Sequence, residues 1–202
     1  MRRGSVAIES STLTVAWARD LAAACRAQGI AFLDAPVLGS RPQAEAARLI
    51  FFAGGEEETV ERVRPILLSL GNSIHHTGAA GSGAAVKLMA NALFGLQQAA
   101  LGELLGLAGK LGLDESRVVE ILTSTPVCSP MAKTAAEMML NRNFSPLFPI
   151  ELVEKDLSYV TRTAEANQAE TPLSEAVRQV FSRARQEGYG KDNITGVARL
   201  YL

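Results

Sequence analysis

Cysteine is almost missing from this chain: of 202 residues, only Cys25 and Cys128 carry a thiol. They stand about a hundred positions apart, which fits no metal-ligand spacing, and a reducing, cytoplasmic setting is the expectation. Aromatic residues are scarce too, 5% of the chain with a single tryptophan, leaving little to stack on nucleic-acid bases. Neither sign of charge dominates, since 20 Lys and Arg face 21 Asp and Glu for a net charge of −1. Such a balance supplies no field to hold a polyanion or a lipid surface, so neither nucleic acid nor membrane is expected as a partner. Long apolar runs are absent. The longest stretch free of charge, Leu88 to Gly102, contains Asn91, Gln97 and Gln98, whereas a spanning helix needs about 20 mostly apolar residues. Near the N-terminus, Glu9 and the serines after it stand where a signal peptide needs an apolar centre.

What is present is 48% hydrophobic residues, enough to bury a core and too many for a disordered chain. Ser5 to Glu9 reads as a short strand closed by Ser10-Ser11-Thr12, and Thr14 to Gln28 as a helix stopped by Gly29. Further strands are expected from Ala31 to Val37, where Pro36 favours an edge or a strand end, from Arg48 to Ala53, and from Ser73 to Thr77. A helix with an acidic first turn, roughly Glu56 to Leu70, separates the last two. Beyond Gly78 only helical spacing remains: Ser82 to about Leu111, Asp114 to Ser124, Ser129 to Leu140, Ile150 to Asn167 and Pro172 to Gly188. Asp114 and Thr171 are the expected caps of two of these helices. The pattern predicts an α/β unit followed by an all-α unit, joined near Gly78 to Ser82.

The glycine cluster Gly78-Ala79-Ala80-Gly81-Ser82-Gly83 follows a strand and opens a helix. Gly81, Gly83 and Glu103 imitate part of a dinucleotide fingerprint, but Val86 holds the third glycine position and the helix is too long for a compact βαβ unit. Two readings stay open: a flexible turn with Ser82 as N-cap, or bare helix amides forming an anion site for a small carboxylate. Lys87 lies just inside this helix, and Gly83, Lys87 and Asn91 recur every four residues on one face. The positive end of the helix dipole works against a charged lysine, which suits a proton donor in a desolvated cleft. Asn91 could orient that ammonium or bind a substrate hydroxyl. An ordinary surface lysine is the commoner outcome of such spacing. Lys155-Asp156 likewise reads as a charged pair on a solvated helix face. His75 and His76, adjacent on a strand, point to opposite sides and cannot share a metal.

Taken in order, these segments resemble the β-hydroxyacid dehydrogenases, the family of 3-hydroxyisobutyrate dehydrogenase, tartronate semialdehyde reductase and the glyoxylate/succinic semialdehyde reductases. The likeness begins at Ser11-Thr12 and runs through FLDAPVLGS, Phe32 to Ser40. It takes in the G-x-G-x-x-x-K stretch from Gly81 to Lys87 with Asn91, and then FPIELVEKDL, Phe148 to Leu157. The tail GYGKDN, Gly188 to Asn193, is similar to the family's closing Gly-x-Gly-x-x-Asp. The resemblance implies a partial Rossmann-type NADP-binding unit over residues 1–80 and an all-helical unit like that of 6-phosphogluconate dehydrogenase over 81–202. It also implies an oxidoreductase that uses NADP, or NAD, to reduce small carbonyl acids such as glyoxylate and succinic semialdehyde, or to oxidise β-hydroxyacids. Lys87 then gives or takes the proton. Leu38, Gly39, Ser40 and Asn91 match substrate-binding positions; Thr12, Lys155 and Asp156 match cofactor-binding ones; no metal is called for. The stretch from Pro126 to Phe148 and the pair Gly39-Ser40 look most like the glyoxylate/succinic semialdehyde reductases, whose usual cofactor is NADPH. Helical domains of the family pair into dimers, a role that the apolar helix from Ser82 to Leu111 suits.

Departures from the family accompany the likeness. Leu38 stands where relatives carry a substrate-binding serine, which removes one hydroxyl donor. Ala47 and Arg48 replace a small glycine and a polar residue. No strand with a G-x-G-x-x-G turn, the family's pyrophosphate cradle, precedes Met1. The expectation is therefore the closing strands of a nucleotide-binding domain, with an open sheet edge, ahead of a whole helical domain. The alternative is a catalytically inactive oligomerisation or binding module derived from the same family.

Overall fold

Leu49–Gly54 (β4), a run of apolar residues, sits inside a five-stranded mixed sheet with β1 (Val6–Glu9), β2 (Ala31–Asp34), β3 (Val37–Leu38) and β5 (Gly71–Gly78). The computed structural model describes residues 1–2 and 4–202. β1 pairs with β2 in parallel and β4 with β5 in parallel, while β2 and β3 both run antiparallel to β4. Asp34 faces Gly54, Val37 faces Phe51 and Leu38 faces Ile50, so β2 and β3 keep one register along β4. The break between them falls at Pro36, which has no N–H to give but still accepts from Phe52 N at 3.0 Å. The strand expected from Ala31 to Val37 is thus interrupted, and it extends to Leu38.

Helix α1 (Val15–Ala27) starts where Thr14 accepts from Trp17 N, and α3 (Glu57–Leu68) lays Val60, Val63 and Leu67 on a core of Leu33, Phe51 and Ala53. Between β3 and β4 stands a short helix, α2 (Arg41–Glu45), where the sequence shows too few residues for an apolar period. The helical half comprises α4 (Ser82–Lys110), α5 (Glu115–Thr123), α6 (Pro130–Leu140), α7 (Ile150–Ala166) and α8 (Pro172–Ala184). The chain forms two compact units: Met1–Ala90 with Arg162–Ala169, and Asn91–Thr161 with Glu170–Leu202. The boundary falls within α4.

Two expectations about helix ends are corrected. Asp114 caps α5 through Ser116 N and Arg117 N, but Thr171 gives α8 no side-chain cap, its backbone lying at φ −134°, ψ 56°. The last helix ends its α geometry at Ala184, and the turn that follows, Arg185–Tyr189, is broken by Gly188, whose φ of +94° is not helical. A 3₁₀ segment, Ile194–Leu200, follows and was not expected. Among the described residues no helix is long and apolar enough to cross a membrane.

The second unit closes around Leu105, Met139, Ile150, Val153, Leu157, Phe181, Ile194 and Val197, all buried. Glycines on one face of α4 let the C-terminal segment approach. A Cβ at Gly106 would lie 2.5 Å from Tyr201 Cβ, and one at Gly102 would lie 3.0 Å from Ala198 Cα. Gly106→Ala is therefore expected to overpack the unit and lower stability by about 1–3 kcal/mol in urea titration. An unchanged midpoint would refute this close packing.

Candidate functional site

A carboxylate given no role in the sequence organises the first unit. Asp34 ends β2 and is 1% exposed. Its Oδ1 accepts from Gly81 N and its Oδ2 from Ala84 N, each at 2.7 Å. These are amides that the start of α4 cannot satisfy within the helix. Glycines make the approach possible: a Cβ at Gly54 would lie 2.6 Å from Asp34 Oδ1, and one at Gly83 would lie 2.3 Å from Phe52 O. Gly81, at φ +93°, turns the chain into the helix. Burial raises the Asp34 carboxyl above its ordinary value, against the pull of the Gly81, Ala84 and Gly83 amides. Both readings of the glycine cluster are corrected by this geometry. Ser82 is not the cap, since its hydroxyl pairs with Thr77 Oγ1 at 2.8 Å. The helix N-terminus is not a bare anion site either, because Asp34 fills it.

Lys87 follows one turn after Ala84 and is 9% exposed, contrary to the ordinary surface lysine that spacing alone suggests. Thr12 is half-buried in the loop leaving β1, and Leu38 on β3 is exposed. Gly39 needs its φ of +123°, and a Cβ there would lie 2.9 Å from Gln43 Cβ. Ser40 opens α2 with both its amide and its hydroxyl on Gln43 Oε1, at 3.0 and 3.1 Å. The histidines stand apart as expected: His76 Nε2 is 2.9 Å from Gly55 O, and the His75 ring is 6.2 Å from that of Phe52.

In the second unit the structure joins two residues far apart in sequence. Asn91 on α4, 5% exposed, donates from Nδ2 to Asp156 Oδ2 on α7 at 2.6 Å. Lys155 Nζ lies 2.9 Å from Asp156 Oδ1 and 4.9 Å from the centre of the Tyr159 ring. The solvated-face reading of Lys155-Asp156 is thus corrected: the Asp156 side chain is 4% exposed and that of Lys155 37%. Helical spacing held the signal, because Asp156 follows the buried Val153 by three residues and precedes the half-buried Val160 by four.

Known families account for both halves. Residues 1–78 match the model described as the NAD binding domain of 6-phosphogluconate dehydrogenase, and residues 81–201 that of the NAD-binding region of NADP-dependent 3-hydroxyisobutyrate dehydrogenase. The chain belongs to the 3-hydroxyisobutyrate dehydrogenase family. A probable 3-hydroxyisobutyrate dehydrogenase of Mycobacterium tuberculosis is 34% identical over 193 residues, 90% of this chain and 64% of that protein. The chloroplastic glyoxylate/succinic semialdehyde reductase 2 of Arabidopsis thaliana is 30% identical over 94% of this chain and 53% of its own length. The chain therefore spans less than two thirds of either relative. Among solved structures, 3-hydroxyisobutyrate dehydrogenase of Mycobacterium tuberculosis with L-serine superposes at a TM-score of 0.89, with 31% identity over 96% of this chain and 69% of that one.

Removing the buried carboxylate tests the first unit directly. Asp34→Ala leaves the Gly81 and Ala84 amides without their acceptor and is expected to cost about 2–4 kcal/mol in chemical denaturation. Asp34→Asn keeps one acceptor and should lose less. Equal stability of all three proteins would remove the carboxylate from its role.

Proposed function

We propose that this chain forms all or part of an NADP(H)-dependent oxidoreductase that reduces small carbonyl acids, such as glyoxylate and succinic semialdehyde, or oxidises β-hydroxyacids in reverse. The observation that carries this reading is the burial of Lys87 one helical turn ahead of buried Asn91, which sets an ammonium and an amide side by side on one face of α4 and largely out of water. The substrate class is supported by the Arabidopsis relative, by its name a reductase of glyoxylate and succinic semialdehyde. Functionally, residues 1–80 are the NADP-binding unit and residues 81–202 the helical unit. The thiols fit a reducing cytoplasm.

In this mechanism Lys87 Nζ gives its proton to the substrate carbonyl oxygen in reduction and takes the hydroxyl proton in oxidation. Its burial lets the proton pass directly rather than through bulk water. Asn91, whose Nδ2 donates to Asp156 Oδ2, holds substrate near Lys87. The amides of Gly39 and Ser40, beside Leu38, receive the substrate carboxylate. Thr12 and Lys155 fit a nicotinamide dinucleotide, NADP or NAD. The Thr12 hydroxyl lies past the carboxyl end of β1, where open α/β sheets receive ligands, and the partly exposed Lys155 ammonium is fixed by Asp156 for an anionic group. When bound, the dinucleotide supplies or accepts the hydride.

The proposed partner is a second copy of the chain. Leu93, Ala100, Leu104 and Leu107 lie exposed along α4 at steps of seven, four and three, the spacing of a helix-pairing seam, and Leu111 just past its end continues the row. The same stripe favours the second reading, a non-catalytic oligomerisation module.

NADPH oxidation followed by absorbance with glyoxylate or succinic semialdehyde is the expected activity, and Lys87→Ala should slow it at least about 100-fold. If both proteins turn over equally, the lysine assignment is wrong; a stable dimer that binds no NADPH in titration selects the second reading. Light scattering should find a dimer that Leu104→Glu with Leu107→Glu converts to monomer. A wild-type monomer sinks the seam.

A further inference from the structure

The tail motif Gly188 to Asn193 takes no part in the chemistry above, yet the side chain of its last residue makes three hydrogen bonds within the second unit. Asn193 is 3% exposed. Its Oδ1 accepts from Leu147 N at 3.2 Å and Phe148 N at 3.0 Å, and its Nδ2 donates to Thr195 Oγ1 at 2.9 Å. Backbone bonds repeat the connection: Asn193 N donates to Phe144 O, and Ile194 N to Phe148 O at 2.7 Å. The carbonyls of Asp192 and Gly190 accept from Ile150 N and Glu151 N, the first amides of α7. A helix normally satisfies such orphan amides with a neighbouring side chain or water. Here α7 borrows its cap from residues forty positions later in the chain, an order of distance at which the cap also fixes where the helix begins. Arg199 seals the arrangement, its guanidinium 4.5 Å from the Phe144 ring centre, 5.2 Å from that of Tyr189, and 2.9 Å from Asp192 Oδ2.

We propose that Asn193 is a positioning residue: by clasping Phe144–Pro149 it sets the start of α7, and through α7 it sets Asp156 against Asn91. Asp156 lies six residues after Ile150, about 9 Å along the helix axis. A rigid start is therefore transmitted over less than two turns. Axial slippage of the helix by one residue, about 1.5 Å, would lengthen the Asn91–Asp156 bond beyond hydrogen-bonding reach. The tail is thus part of what holds the Asn91 amide in one orientation. The effect on turnover rests on the reductase reading; the clasp itself does not.

The test uses the full chain and three variants: Asn193→Ala, Asn193→Asp and Thr195→Val. Asn193→Asp still accepts from Leu147 N and Phe148 N, and the Thr195 hydroxyl can donate to it. Amide exchange should quicken at least about tenfold at Leu147, Phe148, Ile150 and Glu151 in Asn193→Ala. The Asn91 side-chain amide resonances should shift with it, and Asn193→Asp should bring both back towards wild type. Thr195→Val, which removes only the acceptor of Nδ2, gives a smaller change in the same direction and replaces Asn193→Ala if that variant does not fold. In the NADPH assay, kcat of Asn193→Ala should fall about tenfold or more while Asn193→Asp stays close to wild type. Loosened 147–151 amides with unmoved Asn91 resonances would make the clasp structural only and overturn the proposal, as would failure of Asn193→Asp to restore them. A wild-type protein that turns over neither substrate refutes the reductase reading, and the resonances then decide the clasp alone.

Discussion

A carboxylate taken out of water needs compensation, and the first unit is arranged around supplying it to Asp34. An isolated buried charge costs several kcal/mol, so the Asp34 side chain is stable only where donors converge on it. The amides of Gly81 and Ala84 are those donors. Their arrival at 2.7 Å dictates much else: Gly54 and Gly83 must lack side chains, Gly81 must take a left-handed turn, and β2 must end where α4 begins. Lys87 comes three residues after Ala84, within one turn of the clamp. The clamp thus fixes the backbone of the turn that precedes the lysine.

The same economy distinguishes the helices of this chain from one another. α1, α5 and α6 are capped locally, by Thr14, Asp114 and Ser129. The two helices that carry the proposed chemistry are capped from afar, α4 by Asp34 and α7 by the carbonyls of Gly190 and Asp192. A local cap stabilises a helix wherever it sits, since cap and helix move together. A distant cap also fixes the helix against another part of the fold. The side chains proposed to act, Lys87 on one helix and Asp156 on the other, gain from the second kind.

Periodicity made the element order legible, because apolar spacing is what drives these segments into strands and helices. Asp114 was legible as a cap because it bonds within three residues of itself. Lys87 and Asn91 could be paired for the same reason, lying one turn apart on a helix. What stayed hidden depends on contacts over long separations. Asp34 and Gly81 are 47 positions apart, and Asn91 and Asp156 are 65. Nothing local distinguishes an aspartate that will receive a helix N-terminus from one that ends a strand in solvent. The Asn193 clasp was hidden likewise, although its motif was visible, since a motif names residues without saying what they hold. Short elements escaped for another reason: α2 and the 3₁₀ segment are too brief or too irregular to set up an apolar period.

If the loop from Leu38 to Ser40 receives the substrate carboxylate as proposed, local bonding sets the terms. Leu38 has no polar group to offer, and both the amide and the hydroxyl of Ser40 are already given to Gln43 Oε1. A carboxylate docking here has to take the place of that amide oxygen. Losing a neutral hydrogen bond costs about 1 kcal/mol net, whereas a bond to a charged acceptor contributes about 1.5–3 kcal/mol. The exchange therefore favours an anion over the resident glutamine and disfavours a neutral carbonyl, which would gain no more than it displaces. On the proposed reading Gln43 is thus a resident competitor, and a loop whose Leu38 offers no side-chain donor would still discriminate by charge.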